Sequence, residues 1–231
     1  MTPVGKKASN DQNTRLQLIK AAEKLFAEAG IDAVSLRQIN IEAGQKNSSA
    51  AHYHFGSKDA LILAIYHSRM ESVNRRRQAA LDKIAADGDE SNVRRLIEAL
   101  VYPIVDEIDA DKSGGSYIRF MAHAIGNPQL DLNKLWKQEH SDGLVRLLQM
   151  LRKALPDVPD PIFGQRFGIS FEQIIHSLAD RERIRGSASR GAEVNAAIFA
   201  SNLVDCITGA MSTPISTTTL AELDSNTKTA S

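Results

Sequence analysis

The segment SLRQINIEAGQKNSSAAHYHFGSKDALILAI, residues 35–65, contains two short helical patterns followed by the start of a long one. The first begins at Ser35, a residue type favoured at helix N-caps, and ends at Gly44, which allows a sharp turn. The second follows with almost no linker, over about residues 46–53. The third begins at Ser57 and continues for about 28 residues without glycine or proline, which predicts a long helix.

The residues before this segment predict a helix on which the two short helices can pack. TRLQLIKAAEKLFAEAG, residues 14–30, repeats apolar side chains every three to four positions, with Thr14 as a candidate N-cap and Gly30 as the C-terminal stop. The apolar stripe comprises Leu18, Ala22, Leu25 and Phe26. Two short helices joined by a tight turn and packed on a preceding helix form a helix-turn-helix arrangement.

Helical patterns continue along the rest of the chain. The amphipathic stretches lie at about 92–109, 117–125, 132–154, 160–184 and 192–212, and turn-forming residues separate them. No stretch alternates apolar and polar residues with the period of a strand. We therefore predict an all-α chain of about nine helices that ends in a polar tail over residues 213–231.

The composition is that of a globular protein with a substantial core. Of the 231 residues, 42% are hydrophobic and 24% are charged. No apolar run approaches the roughly 18 residues that span a bilayer, and the N-terminus lacks the apolar core of a signal peptide, so we expect a cytoplasmic protein with no membrane partner. The single cysteine, Cys206, excludes an internal disulfide and a multi-cysteine metal site.

Charge is unevenly distributed, although the formal net charge is zero. Residues 1–58 contain 8 basic and 5 acidic side chains, so this part of the chain is mildly basic and the remainder is mildly acidic. A basic N-terminal part is compatible with a nucleic-acid partner. The run NRRR, residues 74–77, is interpreted as a solvated helix face.

The second short helix is polar on its first turn and poor in large apolar residues. The first short helix, about residues 35–43, buries Leu36, Ile39 and Ala43. Small polar residues at a helix N-terminus can enter a major groove about 12 Å wide and reach base edges. The alternative is that residues 46–53 form a loop-like connector with ordinary polar side chains. The polar residues in question are Lys46, Asn47, Ser48 and Ser49.

Four features occur in order between residues 14 and 65: AAEKLFAEAG in the first helix, SLRQI opening the second, AG at the turn, and FGSKDAL entering the long helix. Together they resemble the DNA-binding domain of the tetracycline-repressor (TetR) family of transcriptional regulators. Beyond residue 65 the chain is similar only in length and helical character. The resemblance implies a flexible arm over 1–13, a helix-turn-helix domain over 14–60, and a ligand-binding and dimerisation domain over 61–212.

Around the turn, the chain departs from the usual pattern of that family. The segment between Gly44 and Phe55 is about one residue longer than the commonest spacing. Asn40 stands where alanine is common, and Gln45 stands where a small apolar residue is usual. The position three before Phe55, often tyrosine, is a histidine that is followed at once by a tyrosine. Either His52 or Tyr53 can make the contact with the DNA backbone that the usual aromatic residue makes.

The resemblance implies a phosphate contact for Lys58, which combines a cation with a helix N-terminus. A second phosphate is expected to bind Tyr53 or His52. Arg37 is expected to reach a guanine edge or a phosphate. Ser35 is expected to cap its helix, with or without a phosphate contact. The candidate base-reading residues are Lys46, Asn47, Ser48 and Ser49.

His52 and His54 also raise the alternative of half a metal site. A two-residue spacing on a helix points the rings about 200° apart, and no nearby cysteine or carboxylate completes a ligand set. We therefore predict no metal here, and we expect His54 to pack with Phe55 under the first helix.

Two apolar stripes near the C-terminus predict closely packed helices. In residues 160–180 and 194–211, apolar and small side chains recur every three to four positions. Such stripes are usually core, but the resemblance implies that this helix pair meets its copy in a homodimer, which can read a two-fold operator in double-stranded DNA. The candidate interface residues are Phe171, Ile174, Ala200, Leu203, Val204 and Ile207.

The resemblance also implies an effector pocket in the helical body. Aromatic and methionine side chains suit a mostly apolar pocket with a few polar anchors, although most such residues are ordinary core. We therefore predict a ligand-responsive transcriptional repressor that a small, largely apolar effector releases from its operator. The candidate lining residues are Phe120, Met121, His123, Trp136, His140, Phe167 and His176.

Two other classes of protein are compatible with the helical pattern. An all-helical enzyme or metal-binding bundle would use His123, His140 and His176, but the sequence has no E-x-x-H pair on facing helices, no H-E-x-x-H and no nucleophile–base constellation. We therefore expect no catalytic residues, no metal site and no cofactor. The other class is a binding module that kept the fold and lost DNA recognition, because residues 45–53 are unusual.

Overall fold

Ten α-helices make up the part of the chain that the computed structural model describes, residues 4–110, 115–130, 142–185 and 195–229. They are α1 (Val4–Ala29), α2 (Leu36–Glu42), α3 (Ala50–Phe55), α4 (Lys58–Ala86), α5 (Val93–Ala110), α6 (Ser116–Ile125), α7 (Asp142–Ala154), α8 (Asp160–Arg185), α9 (Ala196–Ser212) and α10 (Thr217–Thr229). These ranges contain no strand, so the predicted all-α fold class is confirmed. Within them, no helix has an apolar stretch long enough to cross a bilayer.

The chain is helical closer to both of its ends than the sequence pattern predicts. Because α1 begins at Val4, Thr14 lies inside the helix and its prediction as an N-cap is wrong. No glycine or proline occurs between Lys6 and Ala29, so nothing in this stretch stops the helix. The predicted polar tail contains α10. The predicted domain boundaries stay predictions.

Two of the predicted helix caps are confirmed. Ser35 and Gln38 form a capping box, in which Ser35 Oγ accepts from the Gln38 N–H at 3.3 Å and Gln38 Oε1 accepts from the Ser35 N–H at 2.8 Å. At the start of α4, Ser57 Oγ accepts from the Ala60 N–H at 3.1 Å. Each bond satisfies a backbone donor that has no partner within its own helix, which holds the starts of α2 and α4 in place.

α1 connects the short helices to the rest of the molecule. It contacts α2, α3 and α4, and it also packs against α6. At the contact with α6, the ring of Phe26 stacks on that of Phe120, with the centroids 6.1 Å apart and both side chains fully buried. The first helix therefore joins the short helices to the body through one continuous hydrophobic core.

A polar cluster also joins α1 to the body, and we call Glu23, Arg69, Arg76 and Glu107 the ion-pair network. Both carboxylate oxygens of the buried Glu23 accept from Arg69 of α4, at 2.7 and 2.8 Å. Arg69 also donates to Glu107 of α5 at 3.3 Å, and Glu107 accepts from Arg76 at 2.9 Å. The network thus links three helices through charge-assisted hydrogen bonds.

Pro103 lies inside α5 and leaves the Ala99 carbonyl without its helical donor, because proline has no backbone N–H. Arg77 of α4 replaces that donor, since its Nε donates to the Ala99 oxygen at 3.4 Å. Arg77 is 4% exposed, and burial lowers the pKa of its guanidinium to about 10, which still leaves it charged near neutral pH. The interpretation of NRRR as a solvated face is therefore wrong for Arg77.

Candidate nucleic-acid interface

The turn between α2 and α3 is longer than the sequence pattern predicts. α2 ends at Glu42, Gly44 adopts a φ of 67° that favours glycine, and α3 begins only at Ala50. The prediction of a helix over about 46–53 is therefore wrong at its start, because residues 46–49 form a turn. The four predicted base-reading residues lie in this turn, which we call the recognition turn. All four are exposed.

Two asparagine side chains account for the recognition turn. Asn47 Oδ1 accepts from the Ser49 N–H at 2.9 Å, a local bond that competes with helix formation. Asn40 of α2 is buried, and its amide binds on both sides of the start of α3: Nδ2 donates to the Ser48 carbonyl at 2.5 Å, and Oδ1 accepts from the Ala51 N–H at 2.8 Å. Ser49, the N-cap of α3, makes no side-chain capping bond, so Asn40 supplies the capping acceptor from another helix.

The sequence offers one signal for Asn40, a polar residue next to Ile39 on a short helix. A buried polar side chain is expected to be hydrogen-bonded. Its partners lie 8 and 11 residues further along the chain, however, and the sequence pattern does not identify them. The role of Asn40 therefore emerges only when α2 and α3 are seen together.

The residues of α3 divide into an exposed pair and a pair that contacts α1. His52 and Tyr53 are exposed, and Tyr53 has 76% of its surface accessible. His54 Nε2 lies 3.7 Å from Oδ1 of Asp11, and the Arg15 guanidinium lies 5.2 Å from the ring centroid of Phe55. The last two residues of α3 thus pack against α1, as predicted. Over the described ranges, no three His, Cys, Asp or Glu side chains come together as a metal site.

The other predicted DNA-binding residues lie on α2 and at the start of α4. Arg37 is exposed on α2, and the Ser35 side chain takes part in the capping box, which accounts for its presence. Lys58 is the first residue of α4, and its Nζ lies 5.7 Å from the ring centroid of Phe26. Lys46 in the recognition turn, Arg37 and Lys58 thus place cationic side chains on and around the two short helices.

The aromatic and methionine residues predicted for the effector pocket do not form one site. Phe120 is buried against Phe26, so it belongs to the junction between α6 and α1. Met121 is buried in the core. Phe167 of α8 is half-buried and stacks on Phe171, with the ring centroids 6.2 Å apart. Of these three residues, Met121 and Phe167 therefore remain candidates for an effector site in the helical body.

The histidines predicted for the pocket are not in the interior. His123 is exposed and lies beside Gly30 at the end of α1, and His176 is exposed on α8. Neither histidine points into the interior, because α6 and α8 turn apolar side chains inward, and their assignment to the effector pocket stays a prediction. Trp136 and His140 lie outside the described residues.

An open cleft of about 220 Å³ lies between α4 and α5. Its lining combines apolar residues such as Pro103 with charged residues that already form ion pairs, among them Arg76 with Glu107 and Arg95 with Asp87. Of the residues predicted for the effector pocket, none of those that the structure describes lines this cleft. We assign no ligand to it.

Most of the predicted dimer-interface residues are buried within the single chain. They pack α8 and α9 against the rest of the same molecule and have almost no exposed surface in the single chain, and their assignment to an interface stays a prediction. Phe171 is half-buried. The apolar stripes correctly indicate the core face of each helix. The buried residues are Ile174, Ala200, Leu203, Val204 and Ile207.

The elements described above define a helix-turn-helix protein: two short helices pack on α1 and lead through the long α4 into a larger helical body. Residues 18–65 match the family model for bacterial regulatory proteins of the tetR family, and residues 98–210 match that for the tetracyclin repressor-like C-terminal domain. The two matches cover more than two thirds of the chain. The chain belongs to the TetR family.

Individual relatives agree with this assignment. The chain is 30% identical over 126 residues to the HTH-type transcriptional repressor KstR2 of Rhodococcus jostii (strain RHA1), a match that spans 54% of this chain and 58% of KstR2. Its fold resembles that of NalD, the secondary repressor of the MexAB-OprM multidrug efflux pump in Pseudomonas aeruginosa, with a TM-score of 0.51 and 16% identity over 90% of this chain and 100% of NalD. It also resembles the transcriptional regulatory protein RHA5900, with a TM-score of 0.50 and 22% identity over 87% of this chain and 100% of that one.

Proposed function

We propose that this protein is a homodimeric, ligand-responsive repressor that binds operator DNA through α2, the recognition turn and α3. The observation that carries the proposal is an exposed polar turn held between two short helices that pack on α1. The relative KstR2 is named a transcriptional repressor, which supports the direction of regulation. The proposal includes no catalytic step, metal or cofactor.

The candidate DNA-contacting side chains fall into two groups according to the DNA atoms that they would contact. Lys58 and Arg37 are cations suited to phosphates, and the hydroxyl of Tyr53 can donate to a phosphate oxygen. We choose Tyr53 for this contact because 76% of its surface is accessible. The short polar side chains of the recognition turn suit base edges. Phosphate contacts set affinity and register, and base contacts select the operator.

Replacing Lys58 with alanine tests the phosphate contact. We expect the dissociation constant for duplex DNA to rise about 3- to 10-fold, and the log–log dependence of affinity on salt to become less steep by about 0.9, because one cation no longer displaces a counterion. The measurement is a salt-series titration of the DNA upstream of the protein's own gene and of a random duplex.

Lys153→Ala is the matched control, since Lys153 is an exposed lysine on α7, away from the helix-turn-helix. It should leave both the affinity and the salt dependence unchanged. An equal effect of the two substitutions would argue against a specific phosphate contact at Lys58. Weak binding of the wild-type protein to every duplex would reject the DNA-binding proposal itself.

The proposed dimer uses the outward face of α8 and α9. Arg166 of α8 donates to the Met211 carbonyl of α9 at 2.9 Å, and near the other end of α8 the Arg181 guanidinium lies 5.5 Å from the ring centroid of Phe199, so the two helices run antiparallel. Ile169 on this pair is 65% exposed. The outward face also includes small residues that permit close helix approach, namely Gly164, Gly168 and Gly209.

Replacing Ile169 with glutamate should weaken the dimer by about tenfold or more, because an interface would bury the new carboxylate without a partner. Light scattering coupled to size-exclusion chromatography over a concentration series measures the effect. Val145→Glu on α7 is the control, since Val145 is also an exposed aliphatic residue. A dimer that survives Ile169→Glu unchanged would exclude this face as the interface.

Effector binding is proposed to act through α4, which begins at the helix-turn-helix and extends into the body. The match of residues 98–210 to a tetracyclin repressor-like C-terminal domain supports a ligand-binding body. Met121 lies in the buried core and Phe167 packs against that core, so each is proposed as a contact for a largely apolar effector. Such a ligand can shift the protein away from DNA only by its difference in affinity for the two conformers.

A further inference from the structure

Asn40 is a buried polar residue on the first of the two short helices. It is 2% exposed, and both ends of its amide are used, the nitrogen by the Ser48 carbonyl and the oxygen by the Ala51 N–H. Ser48 belongs to the recognition turn, and Ala51 belongs to the first turn of α3. One side chain of α2 thus holds the last part of the turn and the start of the helix that follows it.

The bond to Ala51 cannot be replaced by solvent. Ala51 is fully buried, so its N–H would have no partner if Asn40 lost its acceptor. The neighbouring donors are satisfied otherwise: the Ser49 N–H bonds Oδ1 of Asn47, and the Ala50 N–H bonds the Asn47 carbonyl at 3.1 Å. The start of α3 therefore depends on one residue inside the turn and on one residue of α2.

We propose that Asn40 is a positioning residue that sets the operator preference of this protein without touching DNA. The inference rests on the proposed DNA-binding function. The recognition turn holds the candidate base-reading side chains, and its distance and orientation relative to α2 are fixed by the Asn40 amide. The same amide accommodates the longer connection between Gly44 and Phe55, for which alanine at position 40 would supply no hydrogen bond.

Loss of Asn40 should affect discrimination between sequences more than it affects binding in general. The proposed phosphate contacts at Arg37 and Lys58 lie on α2 and α4, and neither side chain bonds to Asn40. A displaced recognition turn would still leave these cations on the DNA backbone, but it would move base-reading groups away from base edges. A residue that merely stabilised the fold would instead lower both kinds of binding in proportion to the fraction of unfolded protein.

The test uses the full-length protein and two duplexes. One is selected from a randomised pool by the wild-type protein, and the other is a scrambled sequence of the same composition. Asn40→Leu keeps the size of the side chain and removes both hydrogen bonds. We expect the ratio of the two affinities to fall about tenfold or more, while affinity for the scrambled duplex stays within about threefold of wild type.

Asn40→Asp provides a second variant in case the leucine variant does not fold. Its carboxylate can still accept from the Ala51 N–H, but it places an acceptor against the Ser48 carbonyl, so we expect an intermediate loss of the affinity ratio. Asn74→Leu is the matched control. Asn74 Oδ1 accepts from the Gly143 N–H at 2.8 Å at the start of α7, which is the same chemistry in the body of the molecule.

The outcomes separate the two proposals. A folded Asn40 variant that keeps the wild-type affinity ratio, or that loses affinity for both duplexes equally, overturns the positioning role and leaves DNA binding intact. An equal fall of the ratio in Asn74→Leu also overturns it. A wild-type protein that selects no preferred duplex rejects the proposed function, and the role of Asn40 with it.

Discussion

Replacing Arg69 with methionine should lower the free energy of unfolding by about 3–5 kcal/mol, the cost typical of breaking a buried ion pair from one side. Arg69 bonds both oxygens of the buried Glu23 and also donates to Glu107. Methionine fills a similar volume but removes the cation that these two carboxylates share. Chemical denaturation measures the loss, with the denaturant dependence of the free energy expected to stay unchanged.

Two further variants test this prediction. One is a control on an exposed ion pair, and the other is expected to restore part of the lost stability. Lys24→Met removes an exposed ion pair with Glu42 and should leave stability close to that of the wild type. Adding Glu23→Gln to Arg69→Met should recover part of the loss, since the amide carries no buried charge. A full additive loss in the double variant would mean that Glu23 and Arg69 contribute independently.

Replacing Phe120 with alanine should cost about 3–5 kcal/mol of unfolding free energy, because it leaves a cavity where a fully buried ring stacks on Phe26. Phe120→Leu should cost less, because leucine fills more of that cavity. Thermal or chemical denaturation of the three proteins compares them directly. The loss of unfolding free energy in Phe120→Ala should exceed the loss in Phe167→Ala, since Phe167 is only half-buried.

The Phe120 variants also test how α1 is held to the body. Phe26 lies in α1 and Phe120 lies in α6, so the ring pair belongs to the contact between these two helices. A cost below about 1 kcal/mol for Phe120→Ala would show that the interior at this junction is not well packed. Equal costs for the alanine and leucine variants would contradict a cavity as the cause.

Much of the fold follows from local features of the sequence. Ser35 and Ser57 cap their helices as predicted, and Gly44 adopts the left-handed conformation that the turn after α2 requires. The apolar stripes near the C-terminus identify the residues that are buried, such as Val204 and Ile207. These predictions succeed because helix caps, turns and periodic burial depend on residues within a few positions of one another.

The sequence pattern fails where a polar side chain has a distant partner. Residues 46–49 form a turn that Asn40 of α2 holds through a hydrogen bond to the Ser48 carbonyl. Arg77 is buried where it donates to the Ala99 carbonyl, which Pro103 leaves without a helical donor. The residues that the apolar stripes indicate for a dimer interface are buried by neighbouring helices of the same chain.

By itself, then, the sequence determined the all-α class, the caps at Ser35 and Ser57, the place of the helix-turn-helix and the resemblance to the family. Only the tertiary structure decided the shape of the recognition turn, the partners of the buried charges and the face left free on α8 and α9. The physical reason is that periodicity reports which side of a helix is apolar. Which element packs against a helix depends on contacts between residues far apart in the sequence. Glu23 and Arg69, for example, are 46 residues apart, and no local pattern encodes their contact.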